Sequence, residues 1–337
     1  MNLKTLTLIT LLCFGITSRL IAQDEDITSI RNMYSKISFK YDTIKGIGHE
    51  NGVTRRDPSD VIKVGDTYYV YYTKVYGRSP GYWGTLWYAT STDKGYSWTE
   101  QGEILGLGKK HTFDSQATFT PNILAAKGMY YLYYTGVKPT PGNKKQEFEN
   151  NSTTDITAIG VAISSTPDGP FTRISDYPIL KVSIEPEKFD SYRVDDAVLL
   201  YRNGLYWLYY KGRSRSHGGG GPAHTQMGTA FSKNPEGPFT KYGKPLLPGS
   251  HEVMLWQQGT GVAVLASINN TFEYAPDGID FLSDKLEVKV DGRPYAPGVF
   301  RQDLTDPNIR GEGLDWGISM VLNGDEAYLI RYKVKTR

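Results

Sequence analysis

A tyrosine-rich phrase opened by a tight turn recurs along the chain, and it restricts the possible folds more than any other feature. It reads Gly65-Asp66-Thr67-Tyr68-Tyr69-Val70-Tyr71-Tyr72, then Lys127-Gly128-Met129-Tyr130-Tyr131-Leu132-Tyr133-Tyr134, then Asn203-Gly204-Leu205-Tyr206-Trp207-Leu208-Tyr209-Tyr210. Aromatic and β-branched residues favour extended backbone, and tyrosine suits a strand with one dry face and one wet edge. A second phrase follows each copy: a strand, a polar turn, then an aromatic. It runs Trp87 to Trp98, Gly160 to Phe171 and Gly228 to Phe239, with a weaker copy from Phe272 to Phe281. The Asp168-Gly169, Glu236-Gly237 and Asp277-Gly278 pairs are hairpin signals, because a tight turn needs positive φ.

Repeats of roughly 45–75 residues with several strands each describe propeller blades, whereas a sandwich has no reason to repeat one hairpin text. With Trp316 to Lys335 supplying a last set of strands, the spacing predicts an all-β, five-bladed β-propeller over residues 53–337. Residues 23–52 form a short N-terminal extension, in which Ile27 to Lys36 could be one helix. Gly218 to Gly221 is not a phosphate loop, since no Lys-Ser/Thr follows it.

The first 22 residues read as a cleaved signal peptide: Lys4, an apolar run from Leu6 to Thr17, and a small residue at Ala22. The run is shorter than the roughly 20 residues of a bilayer span. The expected location is therefore secreted or periplasmic, with no membrane span after signal removal. The single cysteine, Cys13, lies inside that segment, so the mature chain has no disulfide and no cysteine-based metal site. Cleavage also removes Lys4 and Arg19 from the 38 basic residues, leaving them equal to the 36 acidic ones. A neutral chain has no general electrostatic claim on nucleic acid; an anionic substrate would need a local basic patch.

Propellers bind ligands at one end of the central channel, where the inner strands converge. Three segments put ionisable groups at blade starts. In Arg55-Arg56-Asp57-Pro58-Ser59-Asp60, Pro58 is expected to hold Asp57 extended, and a carboxylate at a channel mouth suits a general base activating water. An Asp-Pro pair also opens ordinary turns. In Val194-Asp195-Asp196-Ala197, neighbouring side chains of a strand point to opposite faces, so only one of the two aspartates faces the channel. In Gly249-Ser250-His251-Glu252, the last two residues also diverge, and either one could protonate a leaving oxygen.

At these segments the chain resembles glycoside hydrolase family 117. The resemblance rests on Arg56-Asp57-Pro58-Ser59, Phe189-Asp190-Ser191 with Asp196 downstream, and Gly249-Ser250-His251-Glu252. It runs from about Val53 to Tyr332 and includes Leu86 to Ser91, Tyr206 to Gly212 and Ala275 to Gly278. That family contains α-1,3-(3,6-anhydro-L-galactosidases) acting on agar oligosaccharides and is related to the family 43 and 32 propellers. The resemblance implies Asp57 as general base, Asp196 as a second carboxylate that orients substrate, His251 as general acid, and Glu252 as the carboxylate beside it. It also implies inversion and release of a terminal sugar. Arg56, Asp114, Lys211, Trp256 and Trp316 complete the set as candidate substrate-binding residues.

The sequence departs from the family in three places. No Ser-x-Ala-x-x-Arg signature of the dimerising N-terminal segment occurs between Ser29 and Lys36, Asp195 stands where a histidine is expected, and Ala197 stands for proline. A homodimer is one expectation carried by the resemblance. No cofactor is required; a divalent cation near the propeller axis is the one candidate, with no ligand set identified. Two other readings stay open: a family 43-like arabinofuranosidase or xylosidase with a glutamate acid, and a non-catalytic sugar-binding propeller.

Overall fold

The three tyrosine phrases become the second strands of three of the five antiparallel sheets, and the turn before each phrase joins it to the strand ahead of it. The computed structural model describes residues 27–77, 84–139, 155–217, 222–266, 268, 270–281, 288–290, 292–302 and 313–336. The 1–22 segment, with Cys13, and Gly218 to Gly221 lie outside them. Blade 1 is Val53–Arg56, Thr67–Tyr76, Thr85–Ser91 and Thr99–Leu105; blade 2 is Ala117–Ala126, Met129–Pro139, Asp155–Ser164 and Thr172–Arg173. Blade 3 is Arg193–Arg202, Leu205–Arg213, Gln226–Ser232 and Thr240–Lys241; blade 4 is Met254–Gln258, Gly261–Leu265, Thr271–Ala275 and Val288–Lys289. Blade 5 is Tyr295–Val299, Trp316–Asn323 and Glu326–Thr336, with Ile37–Thr43 as its outer strand. Short extra strands add to blades 1, 2 and 3. The fold is a five-bladed β-propeller.

The start of the chain thus closes the ring. Ile37 pairs with Thr336 and Thr43 with Ile330, so residues 37–43, which the sequence placed in an extension, are part of the propeller. Residues 27–34 form a helix ahead of that strand. Its Ile30 and Tyr34 are buried against blade 4, where Tyr34 stacks on Phe272 with ring centroids 4.3 Å apart.

The repeated phrases also bond to each other across blades. The Tyr71 hydroxyl of blade 1 donates to the carbonyl of Pro167 in blade 2 (2.6 Å). Tyr133 of blade 2 donates to Pro235 in blade 3 (2.5 Å), and Tyr209 of blade 3 to Gly278 in blade 4 (3.0 Å). A buried hydroxyl needs such a partner, and a turn carbonyl at a blade seam needs a donor. At the closing seam Arg331 of blade 5 takes this place, donating through Nε to the Lys94 carbonyl of blade 1 (2.9 Å).

A third repeat joins strands inside blades 2 and 3. Phe113-Asp114-Ser115 and Phe189-Asp190-Ser191 occupy equivalent places. Phe113 stacks on Tyr134 and Phe189 on Tyr210, each at 5.9 Å. Tyr134 donates to Asp114 (2.9 Å) and Tyr210 to Asp190 (2.8 Å). A Cβ on Gly160 or Gly228 would come within 2.5 or 2.4 Å of the respective phenylalanine ring, so both positions require glycine.

Candidate active site

Each inner strand carries one residue whose backbone is left-handed, and the five positions are equivalent. They are Asp57 (φ 50°), Thr120 (46°), Asp196 (53°), Glu252 (53°) and Ala296 (39°). In blades 2, 3 and 5 the strand register slips at this point, between Phe119 and Asn122, Asp195 and Val198, and Tyr295 and Gly298. Such a bulge leaves two residues unpaired and re-aims the side chain. Proline, with no N–H to leave unsatisfied, follows in blades 1, 2 and 5 as Pro58, Pro121 and Pro297. The expectation that Pro58 holds Asp57 extended is thus corrected: Asp57, just past the end of the strand Val53–Arg56, is left-handed with φ 50°.

These five residues converge on one cleft, with Pro58, Asn122 and Val253 also on its wall. Sites on a propeller axis are built this way because each blade contributes one inner-strand residue. Non-glycine residues at positive φ cost on the order of 1–3 kcal/mol each and cluster at functional sites. Five such positions around one opening are a shared structural device of this channel.

Three of the five carry carboxylates. Arg56 Nε donates to Asp57 Oδ2 (2.8 Å). Asp196 faces the cleft, while Asp195 turns away into a fully buried ion pair with Arg193 (3.1 Å). Lys211 bridges the two aspartates, 2.5 Å from Asp196 Oδ2 and 3.4 Å from Asp195 Oδ1. Burial pushes the Asp196 carboxyl up to about 6, against the pull of Lys211 and with the help of Asp195, Glu252 and Asp57. Glu252 takes the ring position of blade 4, and its Oε1 lies 3.3 Å from His251 Nε2. Burial would raise the Glu252 carboxyl, but His251, Lys211 and Arg56 hold it well below the ordinary carboxylate range.

Asp57, Asp196, Glu252, Arg56, His251 and Lys211 are therefore gathered at one end of the channel. The other three candidate binding residues are not. Asp114 is buried in the blade 2 latch, paired with Arg173 Nε at 2.6 Å. Trp256 is buried in blade 4, and its indole N–H donates to Tyr34 of the N-terminal helix (3.0 Å). Trp316 lies in the core between blades 5 and 1, stacked on Phe300 at 4.8 Å. All three are large or charged groups that finish packing rather than face the channel. Thr120, Asn122 and Ala296 escaped the sequence reading. The signal was present: Thr120-Pro121 and Ala296-Pro297 echo Asp57-Pro58 just ahead of a tyrosine or aromatic strand.

For a divalent cation near the axis, the described residues offer no group of three or more histidine, cysteine, aspartate or glutamate side chains placed to hold a metal ion, the ring carboxylates included. Asn122 Oδ1 is a buried acceptor with no hydrogen bond, but one oxygen does not make the six to eight of a calcium site. No helix among the described residues is long and apolar enough to cross a membrane.

Residues 51–198 match the model of glycosyl hydrolases family 43. No curated protein matches the chain. Among solved structures, Zg3597, a family 117 glycoside hydrolase from the marine bacterium Zobellia galactanivorans, is 28% identical with a TM-score of 0.74. That similarity covers 88% of this chain and 90% of the other. Fructan 1-exohydrolase IIa from Cichorium intybus is 14% identical, with a TM-score of 0.58 over 85% of this chain and 56% of that one. A GH43_1 enzyme from Xanthomonas citri complexed with xylose is 13% identical, with a TM-score of 0.54 over 86% and 90%. The last two show the shared fold.

Proposed function

We propose that this chain, a glycoside hydrolase of the five-bladed propeller kind that resembles family 117, releases a terminal 3,6-anhydro-galactose-type sugar from galactan or agar-type oligosaccharides with inversion. The observation that carries this reading is the ring itself. It gathers Asp57, Asp196 and Glu252 at one cleft, with His251 3.3 Å from Glu252, in a chain 28% identical to a family 117 enzyme over 88% of its length.

In this reading Asp57, oriented by Arg56, accepts a proton from a water as the water attacks the anomeric carbon. His251 delivers a proton to the departing glycosidic oxygen as that bond breaks. The low-lying Glu252 carboxyl supports that division of labour, since a group held ionised cannot itself donate. Asp196, held by Lys211, would orient the sugar hydroxyls.

A second reading, a family 43-like arabinofuranosidase or xylosidase, draws on one observation: Glu252, and not His251, occupies the ring position equivalent to Asp57. The two are separated by hydrolysis of defined agar, carrageenan, arabinan and xylan oligosaccharides with the product anomer followed by NMR. Release of a terminal anhydro-sugar supports the first reading; release of arabinose or xylose alone replaces it with the second. Export through the 1–22 segment and a homodimer belong to the same proposal. Mass spectrometry of the mature N-terminus and light scattering test them.

A further inference from the structure

At the seam of blades 4 and 5, beside the ring position of Ala296, stands an arginine that the mechanism does not use. Arg293 Nε donates to Asn270 Oδ1 (2.8 Å), and its Nη1 donates to the Pro294 carbonyl (2.7 Å). Both partners are neutral. Among the described residues no carboxylate lies within ion-pair distance of it, whereas Asp57, Asp195, Asp196 and Glu252 each have a cation close by. The guanidinium is half-buried, and Ala296 and Pro297, three and four residues further along the chain, line the cleft, so Arg293 stands beside the active site rather than in its wall.

The surroundings hold it in place. The Tyr41 hydroxyl donates to the carbonyl of the preceding Gly292 (2.6 Å), tying this loop to the closing outer strand. Ser319 Oγ donates to the Tyr295 carbonyl (2.7 Å). The Tyr295 ring lies 5.1 Å from the guanidinium carbon and is 54% exposed. Immediately after it, Ala296 and Pro297 line the cleft. A large exposed aromatic at a sugar cleft offers a stacking face, and a fixed guanidinium with an unused edge offers paired donors to an oxyanion. Burial works against the charge of Arg293, and Glu252 offsets this only in part and without an ion-pair contact, so an anionic ligand in contact would stabilise it.

We propose that Arg293 and Tyr295 form a subsite for an anionic substituent, a sulfate ester or a carboxylate, on a sugar next to the bond cleaved. The inference rests on the glycosidase reading and narrows its substrate class: with 38 basic against 36 acidic residues the chain has little general positive charge, so recognition of a charged glycan needs a local group such as this one.

The test begins with a probe that does not depend on which sugar is correct. The Arg293 guanidinium NMR signal, identified by its loss in Arg293→Gln, is titrated with inorganic sulfate and with acetate. A saturable shift with at least one of them is expected, and the anion acting at lower concentration tells sulfate ester from carboxylate. No shift with either overturns the proposal. Galactan oligosaccharides of equal length, neutral, sulfated or bearing a uronic acid, are then bound to the Asp57→Asn protein by calorimetry. The charged member that matches the better anion should bind more tightly than the neutral one, by roughly 10- to 100-fold. Arg293→Gln should abolish that ratio and Arg293→Lys should restore part of it. Equal ratios in all three proteins overturn the subsite while leaving the glycosidase reading intact. Charge-dependent binding without hydrolysis of any galactan removes the galactan reading and keeps the subsite.

Discussion

Lys211 Nζ lies 2.5 Å from Asp196 Oδ2, yet the Asp196 carboxyl is pushed up to about 6 because it is buried among three other carboxylates. Between about pH 4 and pH 6 the folded chain therefore holds a proton there that the unfolded chain releases, and stability falls as pH rises through that window. Asp196→Asn removes this term. The variant should be more stable than the parent above pH 6, by on the order of 1–3 kcal/mol, with the gain shrinking toward pH 4. Urea unfolding at pH 4 and pH 7 measures it. A gain equal at both values, or a loss at pH 7, would assign Asp196 to structure.

Asp57→Asn should keep the fold and lose turnover by roughly 10²–10⁴-fold, because an amide cannot accept the proton of the attacking water. The ring backbone does not depend on the carboxylate, so circular dichroism and the melting temperature should stay close to the parent values. Turnover within a few-fold of the parent would remove Asp57 from the base role.

His251 and Glu252 are separated by their dependence on the leaving group. An activated aryl glycoside scarcely needs protonation, whereas a natural sugar leaving group does. His251→Ala should cripple hydrolysis of the second and largely spare the first. Glu252→Ala should slow both, since it removes a carboxylate from the wall of the cleft as well as the partner of the imidazole at 3.3 Å. The opposite pattern assigns the proton to Glu252 and favours the family 43-like reading.

The blade seams can be tested apart from the site. Tyr71→Phe and Tyr133→Phe each strip a buried carbonyl in the next blade of its donor, and each should cost about 1–3 kcal/mol. Tyr177→Phe, on a residue 80% exposed, should cost nothing measurable. Equal effects at all three positions would rule out the hydroxyl–turn bond as the joint between blades.

The propeller was legible because its repeated phrases are the pieces that bond across blades: Tyr71, Tyr133 and Tyr209 with their turns at Pro167, Pro235 and Gly278. The closing strand Ile37–Thr43 was not, since it lies far from its partner in the chain and carries no copy of the phrase. Asp57, Asp196 and the His251-Glu252 pair stood out because charged groups at blade starts have few packing roles. Asp114, Trp256 and Trp316 misled for the same reason in reverse: a latch, a helix anchor and a core stack draw on the same residue types as a sugar site. Phe113-Asp114-Ser115 could have been set aside by its likeness to Phe189-Asp190-Ser191, as a phrase repeated in two blades is more easily structural. Thr120 and Ala296 were hidden because their place in the ring is a property of backbone φ, which only the following prolines hinted at.

The most direct measurement of the central claim is the configuration of the sugar first released by the wild-type enzyme from a galactan oligosaccharide ending in an anhydro-sugar, followed by proton NMR before mutarotation. On the proposed roles, in which Asp57 activates water on one face and His251 protonates the leaving oxygen from the other, the product should appear with inverted configuration. Retained configuration, or a glycosyl group trapped on the chain, would contradict the assignment of the ring carboxylates.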